Sequence, residues 1–385
     1  MPRGRTERFR DIQPFGIDRV AAAAGDAPDV LRLENLDTDV PVPRSAVEVT
    51  REAVGTDDAN SWLPFTGLAR LREAVAERLR TQTGRAYDPL AEVVITSGGM
   101  PGLLAALLGT VDHGDDVVIT DPTYAGFIGR IRLAGARPVF VPLVVANGRW
   151  RLDLDRLAAA VTSKTRAMLL MSPSMPSGHV FGDNEWAAVT ETCERADCWL
   201  VYDASMDQIL FDGIAPRHPA SFDQLTERTL TVGSVSKNLR MIGWRVGWVA
   251  GPAEVMGDVA FAGIYNTTVT SGFAQMGAHA ALTADDDGVA AAVAEWQARR
   301  DLIMEELEGL PAVTPEGGWS LLVDATELGT GAPELSARLL ERGRIAATPM
   351  TAWGREVAPR HVRLVYANEP LERLRGIGDR VRAAL

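Results

Sequence analysis

Cysteine is scarce: the chain has two, Cys193 and Cys198, five positions apart beside one expected helix. No set of metal ligands surrounds them, so they read as ordinary thiols of a reducing, cytoplasmic setting. Long apolar runs are lacking, which leaves no segment fit to cross a membrane. The first residues, Met1 to Arg8, are charged and lack the apolar stretch of a secretion signal, so the sequon Asn266-Thr267-Thr268 is read as chance. Net charge is −12 and no basic stripe occurs, which argues against a nucleic-acid partner. Internal repeats and low-complexity linkers are missing too.

What is present is a large apolar fraction. With 385 residues and 46% hydrophobic content, the chain can bury more than one core. Short apolar runs, the first of them β-branched, recur at 92–96, 116–120, 138–142, 167–171, 198–202, 229–232 and 246–250, separated by helical patterns such as 68–81 and 103–108. Continuous apolar strands between helices indicate a mostly parallel sheet of seven strands, buried on both faces. The expected architecture is a three-layer α/β/α unit. A long helix over 288–308, strands at 320–324 and 361–366 and a final helix indicate a smaller α+β unit. The expected division is 1–45 as an arm joined to the small domain, 46–285 as the large domain and 286–385 as the small one.

The most telling stretch is Ser234-Val235-Ser236-Lys237-Asn238-Leu239-Arg240-Met241-Ile242-Gly243-Trp244-Arg245-Val246-Gly247. It offers one lysine in a Ser-rich loop and an arginine eight residues later. An amine that attacks an aldehyde needs a neutral fraction, which neighbouring cations help supply. A phosphate needs hydroxyls and a guanidinium. Both demands meet in pyridoxal phosphate (PLP). The motif resembles the Schiff-base lysine segment of the class I/II aminotransferases, which have the PLP transferase fold of type I. The resemblance runs from about Leu31 to Leu385.

Further positions match that family. Ser97-Gly98-Gly99-Met100 leaves a strand and opens a helix; by itself a common Gly turn, it falls at the family's phosphate cup. Asp203 ends a strand and could be a helix cap, but its place implies the carboxylate that keeps the pyridine nitrogen protonated. Tyr124, otherwise a core aromatic, matches the residue stacked on the cofactor ring. Ser234, Ser236 and Arg245 match phosphate contacts, and Arg363 matches the arginine that grips the substrate α-carboxylate. Trp62 lies where a tyrosine reaches the neighbouring subunit's phosphate, and Thr270 and Ser271 where another inter-subunit contact arises. The resemblance therefore implies a homodimer with shared active sites, acting on an amino acid as its small-molecule substrate.

Two departures stand out. The family's Asn that donates to the cofactor ring hydroxyl is Met175, and the Tyr that donates to the same oxygen is Met206. Thioethers cannot donate. Unless water or another side chain substitutes, the nitrogen linking lysine to cofactor is expected to hold its proton more tightly. Pro349-Met350 and Leu36-Asp37-Thr38-Asp39 also depart from the pattern. Transamination is the expected reaction. The alternative is elimination, substitution, decarboxylation or oxidative deamination in a specialised biosynthesis. Trp62, Phe65, Trp319 and Trp353 suggest an apolar or bulky substrate side chain.

Overall fold

A computed structural model describes residue 4 and residues 6–385; positions 1–3 and 5 of the expected arm lie outside the described residues. An eight-stranded sheet organises the larger part. Its spatial order is Val93–Thr96, Gly247–Ala250, Thr229–Ser234, Trp199–Asp203, Thr165–Met171, Asp116–Asp121, Arg137–Ala146, Arg149–Leu152. Neighbours from Thr229–Ser234 to Arg137–Ala146 pair in parallel, while Gly247–Ala250 runs antiparallel to both its partners.

The seven expected strands are all present, and the sheet gains an eighth. Arg137–Ala146 continues past residue 142 and folds back onto Arg149–Leu152. The turn is Asn147-Gly148, with φ of 53° and 72°. Two consecutive left-handed residues match the right-handed twist of a tight hairpin.

Both faces of the sheet are covered, which is why its strands are apolar throughout. Val94 and Val249 face the core containing Leu103, Ala106 and Leu107 of the helix Gly99–Thr110. Val93, Ile95, Trp248 and Ala250 face the opposite core, with Leu71, Val75 and Leu79 of the helix Ala69–Thr83. The alternation along these two strands thus feeds two helical layers.

A second, four-stranded antiparallel sheet contains Ala312–Val313, Ser320–Asp324, His361–Val365 and Thr348–Pro349. The helices Val289–Glu306 and Ile377–Ala384 pack against each other beside it. Leu31–Arg32 pairs in parallel with Ile345–Ala346, tying the N-terminal segment to this part. No helix among the described residues is long and apolar enough to cross a membrane.

Candidate active site

The parallel strands all end on one edge, where open α/β sheets gather their ligands. Met171, Asp203 and Ser234 close three of them and line one cavity of about 230 Å³. Leu36, Gly99, Met100, Tyr124, Met175, Ser205, Met206, Ser236, Lys237, Ile242 and Arg245 complete its wall. The chain has two lysines: Lys164 is exposed, while Lys237 is enclosed at this edge.

The Lys237 amine donates to the Leu36 carbonyl at 2.8 Å and lies 4.8 Å from the centre of the Trp319 ring. Burial pulls its pKa down to about 7; Asp37 opposes that shift, and Arg245 and Arg363 add to it. The amine therefore has a substantial neutral population near neutral pH.

Asp203 is buried, and burial pushes its carboxyl above the usual range, with the Ser205 hydrogen bonds restraining the rise. Its Oδ1 accepts from the Ser205 backbone N–H at 2.8 Å. A buried carboxylate open to a cavity suits a cationic ring nitrogen.

Hydroxyls and a guanidinium collect around the entry to the helix Gly99–Thr110. Ser234 Oγ lies 3.5 Å from Ser205 Oγ and accepts from the Ser236 backbone N–H at 3.3 Å. Arg245, itself at φ 55°, donates to the Ile242 carbonyl at 2.8 Å and reaches Ser236 Oγ at 3.5 Å. Gly98 has φ +100°, and a Cβ there would overlap the Arg245 guanidinium. Glycine is therefore required for this approach. A helix N-terminus, two serines and an arginine that has no carboxylate partner among the described residues form an anion cradle.

Tyr124 caps the helix Ala125–Leu133. Its ring is held by Phe15, Phe127 and Trp353, at centroid distances of 5.7, 5.6 and 5.5 Å. Met175 and Met206 are both buried and both face the cavity. Ser97 and Gly98 stand just outside the lining; Ser97 Oγ lies 3.2 Å from Thr270 Oγ1 of the same chain. Arg363 is fully buried behind the wall. Trp62 stays away from its own chain's cavity: it is 76% exposed and packs edge-on against Phe65 at 5.1 Å.

Residues 28–381 match the family description "Aminotransferase class I and II". The chain belongs to this family. An arginine–pyruvate transaminase of Pseudomonas aeruginosa is 33% identical over 360 residues, covering 92% of this chain and 90% of that one. An aspartate aminotransferase of Pyrococcus abyssi is 29% identical over 99% of this chain and 98% of its own. The solved N-succinyldiaminopimelate aminotransferase from Mycobacterium tuberculosis superposes with a TM-score of 0.93 at 30% identity, covering 99% of this chain and 100% of that one. The aspartate aminotransferase from Thermus thermophilus with maleate gives a TM-score of 0.91 at 30% identity, over 100% of both chains. This aminotransferase has the type I fold of PLP enzymes, and the family uses PLP. Its lining has the groups such a molecule needs: a buried carboxylate fit for a cationic ring nitrogen, an enclosed lysine fit for an aldehyde and an anion cradle fit for a phosphate.

Some of the lining was missed in the sequence. Leu36 contributes a backbone carbonyl, which no side-chain pattern announces. Ser205 lies within Asp203-Ala204-Ser205-Met206, a visible signal that went unused. Trp353, which the sequence did suggest, stays outside the lining and arrives on a loop fixed from a distance: the Asp121 carboxylate accepts the backbone N–H groups of Arg355, Glu356, Val357 and Ala358 at 2.6–3.2 Å.

Proposed function

We propose that the cavity centred on Lys237 binds PLP and an α-amino acid, and transfers the amino group to a 2-oxo acid. When bound, PLP withdraws electron density from the substrate Cα. Asp203 stabilises positive charge on the ring nitrogen. Ser97, Gly98, Gly99, Met100, Ser234, Ser236 and Arg245 hold the phosphate, and Tyr124 flanks the ring. Met175 and Met206 occupy wall that offers no hydrogen-bond donor. Lys237 would attach the cofactor and, once freed by the substrate amine, would take the proton from Cα of the amino acid in the first half-reaction and deliver one to Cα of the 2-oxo acid in the second. Arg363 takes the α-carboxylate and fixes the angle at which Cα presents its hydrogen.

The carrying observation is the Lys237 amine, enclosed at the cavity and lowered to about pKa 7 by burial. Stoichiometry tests the reading. Turnover of an amino acid panel is expected only with a 2-oxo acid present; release of ammonia or carbon dioxide without one would overturn transamination.

The substrate reading is an amino acid with an apolar side chain. Leu36, Met100, Met171 and Ile242 face the cavity, and among the described residues one arginine, Arg245, lines it. With Arg245 given to the phosphate, no lining arginine among the described residues is left for a second carboxylate. The assembly proposed is a cytoplasmic homodimer. Trp62, Phe65, Phe261 and Tyr265 are exposed aromatics that a second copy would cover, bringing Trp62 and the exposed Ser271 to the partner's site, whereas Thr270 is buried against Ser97 of its own chain. Residues 46–285 form the proposed large domain, and 286–385 with 1–45 the small one. Sedimentation of the purified protein tests the dimer, and a monomer at micromolar concentration would overturn it.

A further inference from the structure

Arg240 follows Lys237 in the same loop and is buried. Its φ is 58°, a left-handed backbone that a residue with a side chain keeps where its surroundings hold it. The hold comes from three directions. Nη1 donates to the Asn238 carbonyl at 2.9 Å, within the lysine loop itself. Nε donates to the Pro41 carbonyl at 3.1 Å, and Nη2 to the Asp287 carbonyl at 2.7 Å. Gly288 lies beside that last bond at φ +68°, where a Cβ would come within 2.9 Å of Nη2. All three nitrogens of the guanidinium thus reach backbone carbonyls, each from a different segment.

Those segments share one task. The Arg240 backbone N–H donates to the Lys237 carbonyl at 3.1 Å, so its main chain and side chain both brace the lysine loop. Pro41 ends the strap whose Leu36 carbonyl accepts from the Lys237 amine at 2.8 Å. Between those two residues, Thr38 accepts from Trp296 Nε1 at 3.0 Å and Asp39 from Arg299 Nη1 at 2.6 Å. Trp296 and Arg299 belong to the helix Val289–Glu306, which starts just after Asp287 and Gly288. One guanidinium therefore fastens the loop bearing the amine, the strap bearing its acceptor and the start of the helix that holds the strap. We propose that Arg240 is a positioning residue for Lys237, keeping the amine in register with the Leu36 carbonyl and enclosed at the cavity. A planar fork suits this task, because it fixes several acceptors at once, whereas an ammonium is a single point. The proposal rests on the reading that Lys237 attaches PLP.

The test follows the visible band as PLP is added to the full-length apoprotein between pH 6 and pH 10. It compares Arg240→Met, Arg240→Lys and Lys237→Met with the unaltered protein. Asp37, Asp203, Arg245 and Arg363 also act on the Lys237 amine and stay the same in both Arg240 variants. In the unaltered protein the rate of capture is expected to have its midpoint near the amine's lowered pKa of about 7. With the fastening removed the amine reaches water, and the midpoint should rise by about one pH unit. Capture at pH 7 then slows about fivefold, because the neutral fraction falls from about one half to about one tenth, and the rates converge above about pH 9. Arg240→Lys keeps the charge but loses the fork, and is expected to shift likewise. In the loaded enzyme kcat should fall about tenfold in both variants, with KM changed by less than about threefold. An unaltered midpoint in either variant, when it melts cooperatively, would overturn the positioning role; if only the lysine variant is unaltered, charge rather than the fork sets the amine. Arg240→Gln carries the same expectation if the Met variant does not fold. Lys237→Met separates the two levels. If it develops the same visible band, the assignment of Lys237 itself fails. If it develops none while the Arg240 variants match the unaltered protein, only the positioning role fails.

Discussion

The Lys237 amine donates to the carbonyl oxygen of Leu36, 2.8 Å away and 201 positions earlier in the chain. Leu36 thus closes the site from the N-terminal segment, whose Leu31–Arg32 strand pairs with Ile345–Ala346. The bond satisfies a buried amine without adding a negative charge, so burial can lower the lysine pKa to about 7. The pH consequence in the cofactor-free protein has a definite sign. The unfolded lysine titrates near 10.5 and the folded one near 7, so between those values the unfolded state binds more protons. Stability therefore rises with pH across that window. Lys237→Met removes the buried amine and is expected to melt higher than the unaltered apoprotein at pH 6, with the gap shrinking by pH 10. The same variant should lose the visible cofactor band and about 10³-fold or more in turnover. A melting difference independent of pH would refute the linkage.

Asp203 gives a second expectation. Its carboxylate is buried with the Ser205 N–H as its backbone partner. Asp203→Asn preserves shape but removes the charge opposite the ring nitrogen. Turnover is expected to fall by about 10²-fold or more, with a smaller change in KM, because the charge matters most as electron density leaves Cα. Steady-state kinetics with saturating PLP checks this. Unchanged kcat would remove Asp203 from that role.

The large sheet was legible because most of its strands are buried on both faces and read as short apolar runs, three of which end at Asp121, Asp203 and Ser234. Asp203 could be placed from that pattern, whereas Ser234, two positions past the expected run 229–232, was placed by the lysine motif. The hairpin strand Arg149–Leu152 was missed, although Asn147-Gly148 is the dipeptide such a turn requires. It alternates buried and half-buried residues, a weaker signal than a continuous apolar run. The strand bearing Arg363 was also readable, but its enclosure was not. Trp353, Glu34, Thr348 and Met175 reach the guanidinium from four separate segments. Only the folded chain brings them together.

Asp121 supports a third prediction. Its carboxylate takes four backbone N–H groups from 355–358, and the Thr123 N–H donates to the Trp353 carbonyl at 2.9 Å. The loop that brings Trp353 over Arg363 and against Tyr124 is thus pinned beside a strand end. Asp121→Ala leaves those buried donors unpaired, at a cost of about 1–3 kcal/mol. The variant is expected to melt several degrees lower and to raise KM more than it lowers kcat. Asp121→Asn retains one acceptor oxygen and should recover part of both losses. Unaltered melting and KM in the alanine variant would dissociate this carboxylate from the site.

His179 carries the final prediction. It lies between two carboxylates, with Nε2 2.8 Å from Glu185 Oε1 and Nδ1 3.4 Å from Glu316 Oε2. Glu185 also accepts from the Leu152 N–H at 2.6 Å, and Arg151 pairs with Glu316 at 2.9 Å. The Glu316 N–H donates to the Gly178 carbonyl at 2.9 Å, so the cluster fastens the loop carrying Met175 to the small sheet's approach. Burial opposes protonation of His179, but the hydrogen bonds to the two carboxylates outweigh it and raise its pKa. Its contribution to stability is therefore complete below about pH 6.5 and is lost as pH rises through the raised value. Glu316 behaves oppositely. Burial works against its ionisation, yet His179 and Arg151 hold its pKa down to about 2. Its contribution is present above the ordinary carboxyl range near 4.5 and fades as pH falls toward 2. The cluster thus stabilises most between those limits. His179→Asn should lower the melting temperature more at pH 6 than at pH 9. A penalty equal at both pH values would mean that packing of the ring, rather than its charge, joins the two carboxylates.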